Sequence, residues 1–487
     1  MSLDPRTPVL VGYGQVNQHQ ENPGREPIDL MEAAARAAAD PKTLGAVDAV
    51  RIVNLLSLTY RDPGLLLAQR IGAAAADTCY TPIGGNVPQS LVNRACLDIA
   101  AGRNDLVLIA GAETWRTRNR LKARGQRLTG TEQDHSVPMA PSDPDFNLAG
   151  TAEVRIGLVA PSHIYPMFEQ ALRIERGENS DAHRRRIGVL WSRFSQVAVD
   201  NPHAWSREAV PAEQIWQPGP DNRMISWPYP KLMNSNNMVD QGAALVLASA
   251  AKAETLKIPR DRWVFPHAGT DAHDTLKLGE RASFAGSPAI RIAGRRALEL
   301  AGIDAGALAA VDVYSCFPSA VQVAAQELGL SLDDQLTVTG GLTFAGGPWN
   351  NYVTHAIATM AEKLTAAPGG LGLITANGGY LSKHSFGVYG TQPPAGQFRW
   401  QDLQSEVDAE PTRHSPDAWA GTGTVETWTT PFDRTGAPEK VFLAVRTPDG
   451  GRALAVVPDA GQAADSISTD IAGTRVTVHA DGTATLE

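Results

Sequence analysis

Residues 83–113 read IGGNVPQSLVNRACLDIAAGRNDLVLIAGAE, and the fold follows from how this stretch is read. It passes from a glycine turn through a helix to a buried strand. Asn86 is placed to cap a helix with Pro88 in its first turn; Leu91, Val92, Ala95, Cys96 and Ile99 give that helix apolar sides, and Gly102 ends it. Leu106 to Ala110 is an uninterrupted apolar run, as a strand covered on both faces requires. Gly84 and Gly85 stand where the backbone turns into the helix, so their N–H groups, backed by the helix dipole, can face a ligand oxygen at close range. The same order recurs at Gly346-Gly347-Pro348, a helix over 350–366, Gly369-Gly370, a strand over 371–376 and Gly378-Gly379. Two alike halves predict an α/β core with a pseudo-twofold axis.

The totals narrow the function. At 487 residues the chain exceeds one ordinary core, so two or three domains are expected. Lys and Arg number 43 against 52 Asp and Glu, a net charge of -9, which argues against a nucleic-acid or anionic-membrane binder. The three cysteines, Cys79, Cys96 and Cys316, have neither metal spacing nor a disulfide framework, so no metal and a reducing compartment are expected. No stretch approaches the ~20 apolar residues of a membrane span, and the first residues lack the pattern of a leader. A cytoplasmic protein of small-molecule chemistry is the expectation.

Along the chain, βαβ alternation holds to Glu113, then gives way over 114–240 to a helical, loop-rich excursion before QGAALVLASA at 241–250 resumes a buried strand. An insertion that leaves and rejoins one sheet covers a site at the strand ends. Within it, the arginines between Arg116 and Arg127 and the cluster Arg184, Arg185 and Arg186 are candidates for meeting phosphates. The loop Asn234-Ser235-Asn236-Asn237 offers hydrogen bonds to an amide-bearing ligand. In the second half, Tyr314, Ser315, Cys316 and Phe317 lie at a strand-to-helix turn before Pro318, and Lys383 and His384 follow the last glycine pair. From about residue 396 the composition shifts, and five short alternating strands with Asp449-Gly450 and Asp481-Gly482 turns suggest a small antiparallel barrel such as an OB-fold.

Over about residues 6–392 the chain resembles the thiolase superfamily, especially its sterol-carrier-protein-type, thiolase-like branch. LVNRACLDIAAGRNDLVLIAGAET, VDQGAALVLASA, VDVYSCFPSAVQ, TGGLTFAGGP and LITANGGY carry the resemblance, in the family's order and approximate spacing. It implies two similar halves in a five-layer α-β-α-β-α fold, with a loop domain inserted in the first half that binds coenzyme A. The expected division is 1–250 for the first half, with the insertion at 114–240, 251–395 for the second, and 396–487 for the added domain. It also implies an acyl-CoA substrate, with Arg184, Arg185, Asn236, Asn237 and Gly347 toward the coenzyme A, and it allows a homodimer.

All four of the family's catalytic positions depart from its pattern. The nucleophilic cysteine falls at Gly85, the histidine of Gly-His-Pro at Gly347, the Asn-Glu-Ala-Phe loop reads Tyr314-Ser315-Cys316-Phe317, and the Cys-x-Gly loop reads Thr375-Ala376-Asn377. Ping-pong acyl transfer needs an activated nucleophile to carry the acyl group between half-reactions. What survives is an oxyanion frame of N–H groups near Gly85 and Asn377, facing Tyr314, with Lys383 and His384 close by. A phenol there can exchange a proton with a β-hydroxyl while the donors hold an enolate oxygen, the requirement of retro-aldol cleavage. Thiolase-like aldolases that shorten acyl-CoA side chains in lipid or sterol metabolism are similar: they carry tyrosine in that loop and work with an OB-fold partner. Two alternatives stay open: an acetyl-CoA acetyltransferase with an atypical nucleophile, and a non-catalytic acyl-CoA or lipid-binding protein.

Overall fold

The structure is a computed structural model that describes residues 3–22, 24–140 and 148–487. Residues 141–147 of the expected insertion lie outside it. Four strands come first: β1 (Pro8–Asn17), β2 (Ala49–Ile52), β3 (Asp77–Tyr80) and β4 (Leu106–Thr114). The insertion supplies helices such as Pro161–Glu175 and Ser180–Asp200 and two short strands, β5 (Met224–Trp227) and β6 (Tyr229–Pro230). Then β7 (Asp240–Ser249) returns to the first sheet, whose order is β1-β7-β4-β2-β3. In it β7 runs antiparallel to both β1 and β4, whereas β2 is parallel to β4 and β3.

The second sheet repeats this plan. Its strands are β8 (Phe265–His273), β9 (Leu308–Asp312), β10 (Leu371–Gly378), β11 (Lys383–Gly390) and β12 (Arg399–Asp402), in the order β12-β8-β11-β10-β9. Here β11 is the antiparallel strand between β8 and β10, and β9 is parallel to β10. The expected pseudo-twofold core is therefore present. Where composition shifts, at 396, the chain does not yet leave this core, because β12 first pairs parallel to β8.

The helices Val87–Ala100 and Tyr352–Ala366 touch one another and lie between the two sheets. Pro27–Ala38 covers the far face of the first sheet and Arg295–Ala301 that of the second, giving layers α-β-α-β-α. The side-chain alternation of β4 explains its apolar run. Leu106, Leu108 and Ala110 join the outer core with Pro27–Ala38, while Val107 and Ile109 join the middle core with Val92 and Ile99.

The last strands, β13 (Gly421–Pro431), β14 (Val441–Arg446), β15 (Arg452–Val457), β16 (Arg475–Val478) and β17 (Ala484–Leu486), form an antiparallel sheet in the order β15-β14-β13-β16-β17. This added domain is docked rather than tethered. Val441, Leu443 and Val445 of β14 face its own core, whereas Phe442 and Ala444 pack into the main core. β13 also pairs with β5 of the insertion. Arg452 is fully buried, 2.7 Å from Glu426, and donates to the carbonyls of Gly279 and Arg281 in the second half. Among the described residues no helix is long and apolar enough to cross a membrane.

Candidate functional site

The glycine turn at 84–85 is held from the second half: the Gly84 N–H donates to Asn350 Oδ1 at 3.1 Å. That donor is therefore spent and does not face a ligand. Asn86 does not act as the expected side-chain cap either, because its backbone is already helical (φ -75, ψ -22) and its side chain makes no cap bond. Its Oδ1 is buried without a partner against Gly84 and Gly378, where a β-carbon on either glycine would meet it at 2.5 Å. The two glycines open a slot that draws the amide away from the helix end.

Tyr314 follows β9, and its backbone N–H is pinned by Thr375 Oγ1 of β10 at 2.9 Å. This aims the ring at the first half. A β-carbon on Gly85 would overlap both Tyr314 Oη and the Asn377 carbonyl oxygen, and would come within 3.0 Å of Tyr314 Cζ. The phenol thus fills the space into which a side chain at position 85 would project. Burial, then the neighbouring Cys316, push the Tyr314 pKa far above the ordinary tyrosine value, so the group stays protonated.

Asn377 presents a carbonyl oxygen to Gly85, an acceptor where an N–H donor was expected. The backbone oxyanion frame is accordingly narrower than the glycine pattern implies. The Asn377 side chain donates through Nδ2 to Tyr165 Oη at 3.0 Å and to Cys316 Sγ at 3.7 Å, and its Oδ1 is buried with no partner. Tyr165, from the insertion helix Pro161–Glu175, in turn donates to the Gly379 carbonyl (3.2 Å) and accepts the Leu381 N–H (2.9 Å). Sequence reasoning missed Tyr165, since nothing marks it off from a core aromatic in HIYPMF. The Leu381 that it holds has φ 55, a conformation that a branched side chain adopts only when its surroundings impose it. Burial pushes the Cys316 thiol up to about 12, which leaves it un-ionised and a poor nucleophile.

His384 sits opposite Asn377 in the β10–β11 register and points to the same side as Tyr314. Its Nε2 lies 3.2 Å from the Leu381 carbonyl, which can only accept, so Nε2 carries the hydrogen. Nε2 is also 3.6 Å from Asp274, which Arg281 faces at 3.4 Å. Lys383, one residue earlier on the strand, projects to the opposite face and does not line the cavity. Tyr314, Thr375, Asn377, Leu381, His384 and Phe386 line a cavity of about 10 Å³, the room of about one water molecule.

The remaining candidates divide. Gly347 does meet the asparagine loop: its N–H donates to the Asn236 carbonyl at 2.9 Å, and a β-carbon there would lie 3.0 Å from Asn237 Oδ1. Asn236 Oδ1 accepts the Met238 N–H at 3.2 Å, an ordinary turn bond. Arg184 is not a surface cation. It is buried between the rings of Trp216 and Trp227 and donates to the Trp216 carbonyl at 2.6 Å, which takes it out of reach of a phosphate. Arg185 is exposed and lies over Trp216, 5.4 Å from the ring centroid. Of the earlier arginines, Arg120 and Arg124 pair with Glu21, and Arg116 donates to the His19 carbonyl.

Comparison with known proteins gives this geometry a family. Residues 402–483 match the thiolase-like protein type 1 additional C-terminal domain. The chain is similar over its whole length, and over the whole of the other chain, to the crystal structure of a monomeric SCP2-thiolase-like protein type 1 from Mycobacterium smegmatis, at 33% identity and a TM-score of 0.85. It is 25% identical over 342 residues, 66% of this chain and 76% of the other, to an acetyl-CoA acetyltransferase of Methanocaldococcus jannaschii. The Ltp2-ChsH2(DUF35) aldolase shares the fold at 18% identity and a TM-score of 0.59, over 79% of this chain and 98% of that one. With a full-length relative, a matching added domain and the repeated α/β core, the chain belongs to the thiolase-like protein type 1 family, the SCP2-thiolase-like members of the thiolase superfamily that carry an additional C-terminal domain.

Proposed function

We propose that this protein binds acyl-CoA thioesters and acts on the carbon-carbon bond near the thioester by proton transfer, without an acyl-enzyme. One observation carries the reading: the Tyr314 phenol occupies the side-chain space at position 85, where the family keeps its nucleophile. Because the phenol stays protonated, Tyr314 donates in the condensation direction, to the alkoxide that forms on the β-carbon as the thioester enolate adds to a carbonyl. In the cleavage direction the phenol takes the β-hydroxyl proton as it passes its own to the unprotonated ring nitrogen of His384, on the same cavity, and the electrons of the breaking carbon-carbon bond pass to the enolate. Relatives that include an aldolase and an acetyltransferase support chemistry at this bond.

On this reading residues 1–250 and 251–395 are the two halves, 114–240 the cover, and 396–487 the added domain. The parallel bridge between Val456 and Thr483 supports an OB-like closure of that last domain. A second reading, a non-catalytic acyl-CoA or lipid-binding protein, is favoured by the size of the Tyr314 cavity, about 10 Å³, which is too small to hold a thioester beside the phenol.

The test is a panel of β-hydroxyacyl-CoA and β-ketoacyl-CoA thioesters with products identified by mass spectrometry. Cleavage to two shorter products is expected, slowed roughly 10² to 10⁴-fold in Tyr314→Phe with little change in binding. Binding without turnover across the panel selects the second reading. Turnover at the wild-type rate in Tyr314→Phe removes the tyrosine from the mechanism.

A further inference from the structure

Away from the Tyr314 cavity, and sharing no residue with it, an open groove of about 340 Å³ lies between the helix Ser180–Asp200 and the turn that follows the helix Pro318–Leu328. Its size is that of a small-ligand site. Three arginines line it, and their charges are poorly matched. Arg186 faces Glu178 at 3.1 Å, but that carboxylate is shared with His183, whose Nδ1 is 2.5 Å from it. Arg193 donates to the Leu332 carbonyl, and its one carboxylate among the described residues is Asp333 at 3.5 Å, 94% exposed and so a weak counter-charge.

Arg176 is the least compensated. Among the described residues no carboxylate lies within ion-pair distance of it. It donates instead to the neutral amide oxygen of Gln322 at 2.5 Å, and Arg186 takes the same oxygen at 3.1 Å. Two guanidinium groups thus converge on one uncharged acceptor. Burial and then the Arg186 charge lower the Arg176 pKa below the usual arginine value, outweighing the more distant carboxylates of Glu169, Glu178 and Glu175. The rest of the wall is apolar, from Val189, Leu190 and Leu332.

We propose that this groove binds a phosphate ester, with Arg176 and Arg186 gripping two phosphate oxygens, the Arg193 charge at the far end of the lining adding to the field, and the apolar wall taking the organic part. The inference does not rest on the reaction assigned to Tyr314. Two sources share this chemistry: the phosphates of a coenzyme A thioester that reaches toward Tyr314, and a separate phosphorylated ligand.

The test is calorimetry on the full chain with inorganic pyrophosphate and with coenzyme A, for wild type, Arg176→Gln and Arg176→Gln/Arg193→Gln. Neither change strips the partner from a buried carboxylate, so melting temperatures should hold, and Arg176→Lys provides a charge-preserving control. Pyrophosphate affinity is expected to fall at least about tenfold in Arg176→Gln, further in the double variant, and to recover in part in Arg176→Lys. A parallel loss for coenzyme A identifies that source. Coenzyme A binding that is unchanged while pyrophosphate binding is lost identifies a separate ligand. No binding of pyrophosphate to the wild type, or equal affinity in the double variant, overturns the proposal.

Discussion

The hydroxyl of Tyr314 lies over Gly85, in the volume that any side chain at position 85 would need. The two residues are therefore alternatives: a bulky residue at 85 excludes the phenol, and the phenol requires glycine. A glycine at 85 and a tyrosine at 314 are one structural feature rather than two.

This exclusion can be measured. Gly85→Ala is expected to cost about 1–3 kcal/mol by overpacking against Tyr314 Oη and the Asn377 carbonyl. Combining it with Tyr314→Phe removes one of the two clashes, so a double-mutant cycle in urea should give a favourable coupling of about 0.5 kcal/mol or more. Simple additivity would mean that the loops separate freely and that the exclusion has no energetic weight.

Thiol chemistry should be confined to the surface. Cys79 is exposed, whereas Cys96 and Cys316 are buried, and burial pushes both of their thiols up, Cys316 to about 12. Iodoacetamide on the native protein at pH 7.5 is expected to label Cys79 alone, and incubation with acetyl-CoA to leave the intact mass unchanged. An acetyl adduct mapped to Cys316 would restore the acetyltransferase reading.

Asp274 should confer acid sensitivity. Burial by itself would raise its pKa, but Arg281 and His384 outweigh it and hold the carboxyl at about 2, against 3.8 for a free group. A depressed folded-state value means that the stabilisation is complete above the unfolded value and is lost as pH falls from about 4 through about 2. The shift is worth about 2 kcal/mol at neutral pH. Asp274→Asn leaves Arg281 without its counter-charge and is expected to cost about 3–5 kcal/mol at pH 7, and to flatten the loss of stability below pH 4. Urea melts across pH check both, and an unchanged acid limb in the variant would assign that limb to other carboxylates.

The chain is expected to be monomeric. Its free edge in the first sheet, β3, has four residues, and Asp77 is largely exposed there in a pair with Arg51 at 2.9 Å. A short, charged edge resists pairing with a second copy. The Mycobacterium smegmatis relative is described as monomeric. Light scattering on the eluting protein should return the mass of one chain, and twice that mass at micromolar concentration would point to the dimer that the wider superfamily allows.

Much of the fold was legible because its signals are local. The apolar sides of the helix that starts after Asn86, the uninterrupted run Leu106 to Ala110 and their reappearance over 350–366 and 371–376 predicted the repeated halves, which the structure has as Val87–Ala100, Leu106–Thr114, Tyr352–Ala366 and Leu371–Gly378. Gly85 at the glycine turn and Tyr314 at a strand-to-helix turn could likewise be picked out from their neighbours in the chain.

What the chain order alone determined, then, was the layered, duplicated core and a short set of positions around its glycine turns, because helices, buried strands and turns are specified by nearest neighbours. Tertiary structure decided which of those positions meet. Only the packing of the two halves brings Tyr314 over Gly85, spends the Gly84 N–H on Asn350, and turns the Asn377 carbonyl where a donor was expected. Arg184 read as a surface cation because arginines usually are, yet Trp216 and Trp227, distant in sequence, close around it. Tyr165 and Arg176 were silent for the same reason: a hydroxyl that ties Asn377 to Leu381, or a guanidinium left without a counter-ion, is defined by what the fold places beside it, and no local pattern carries that information.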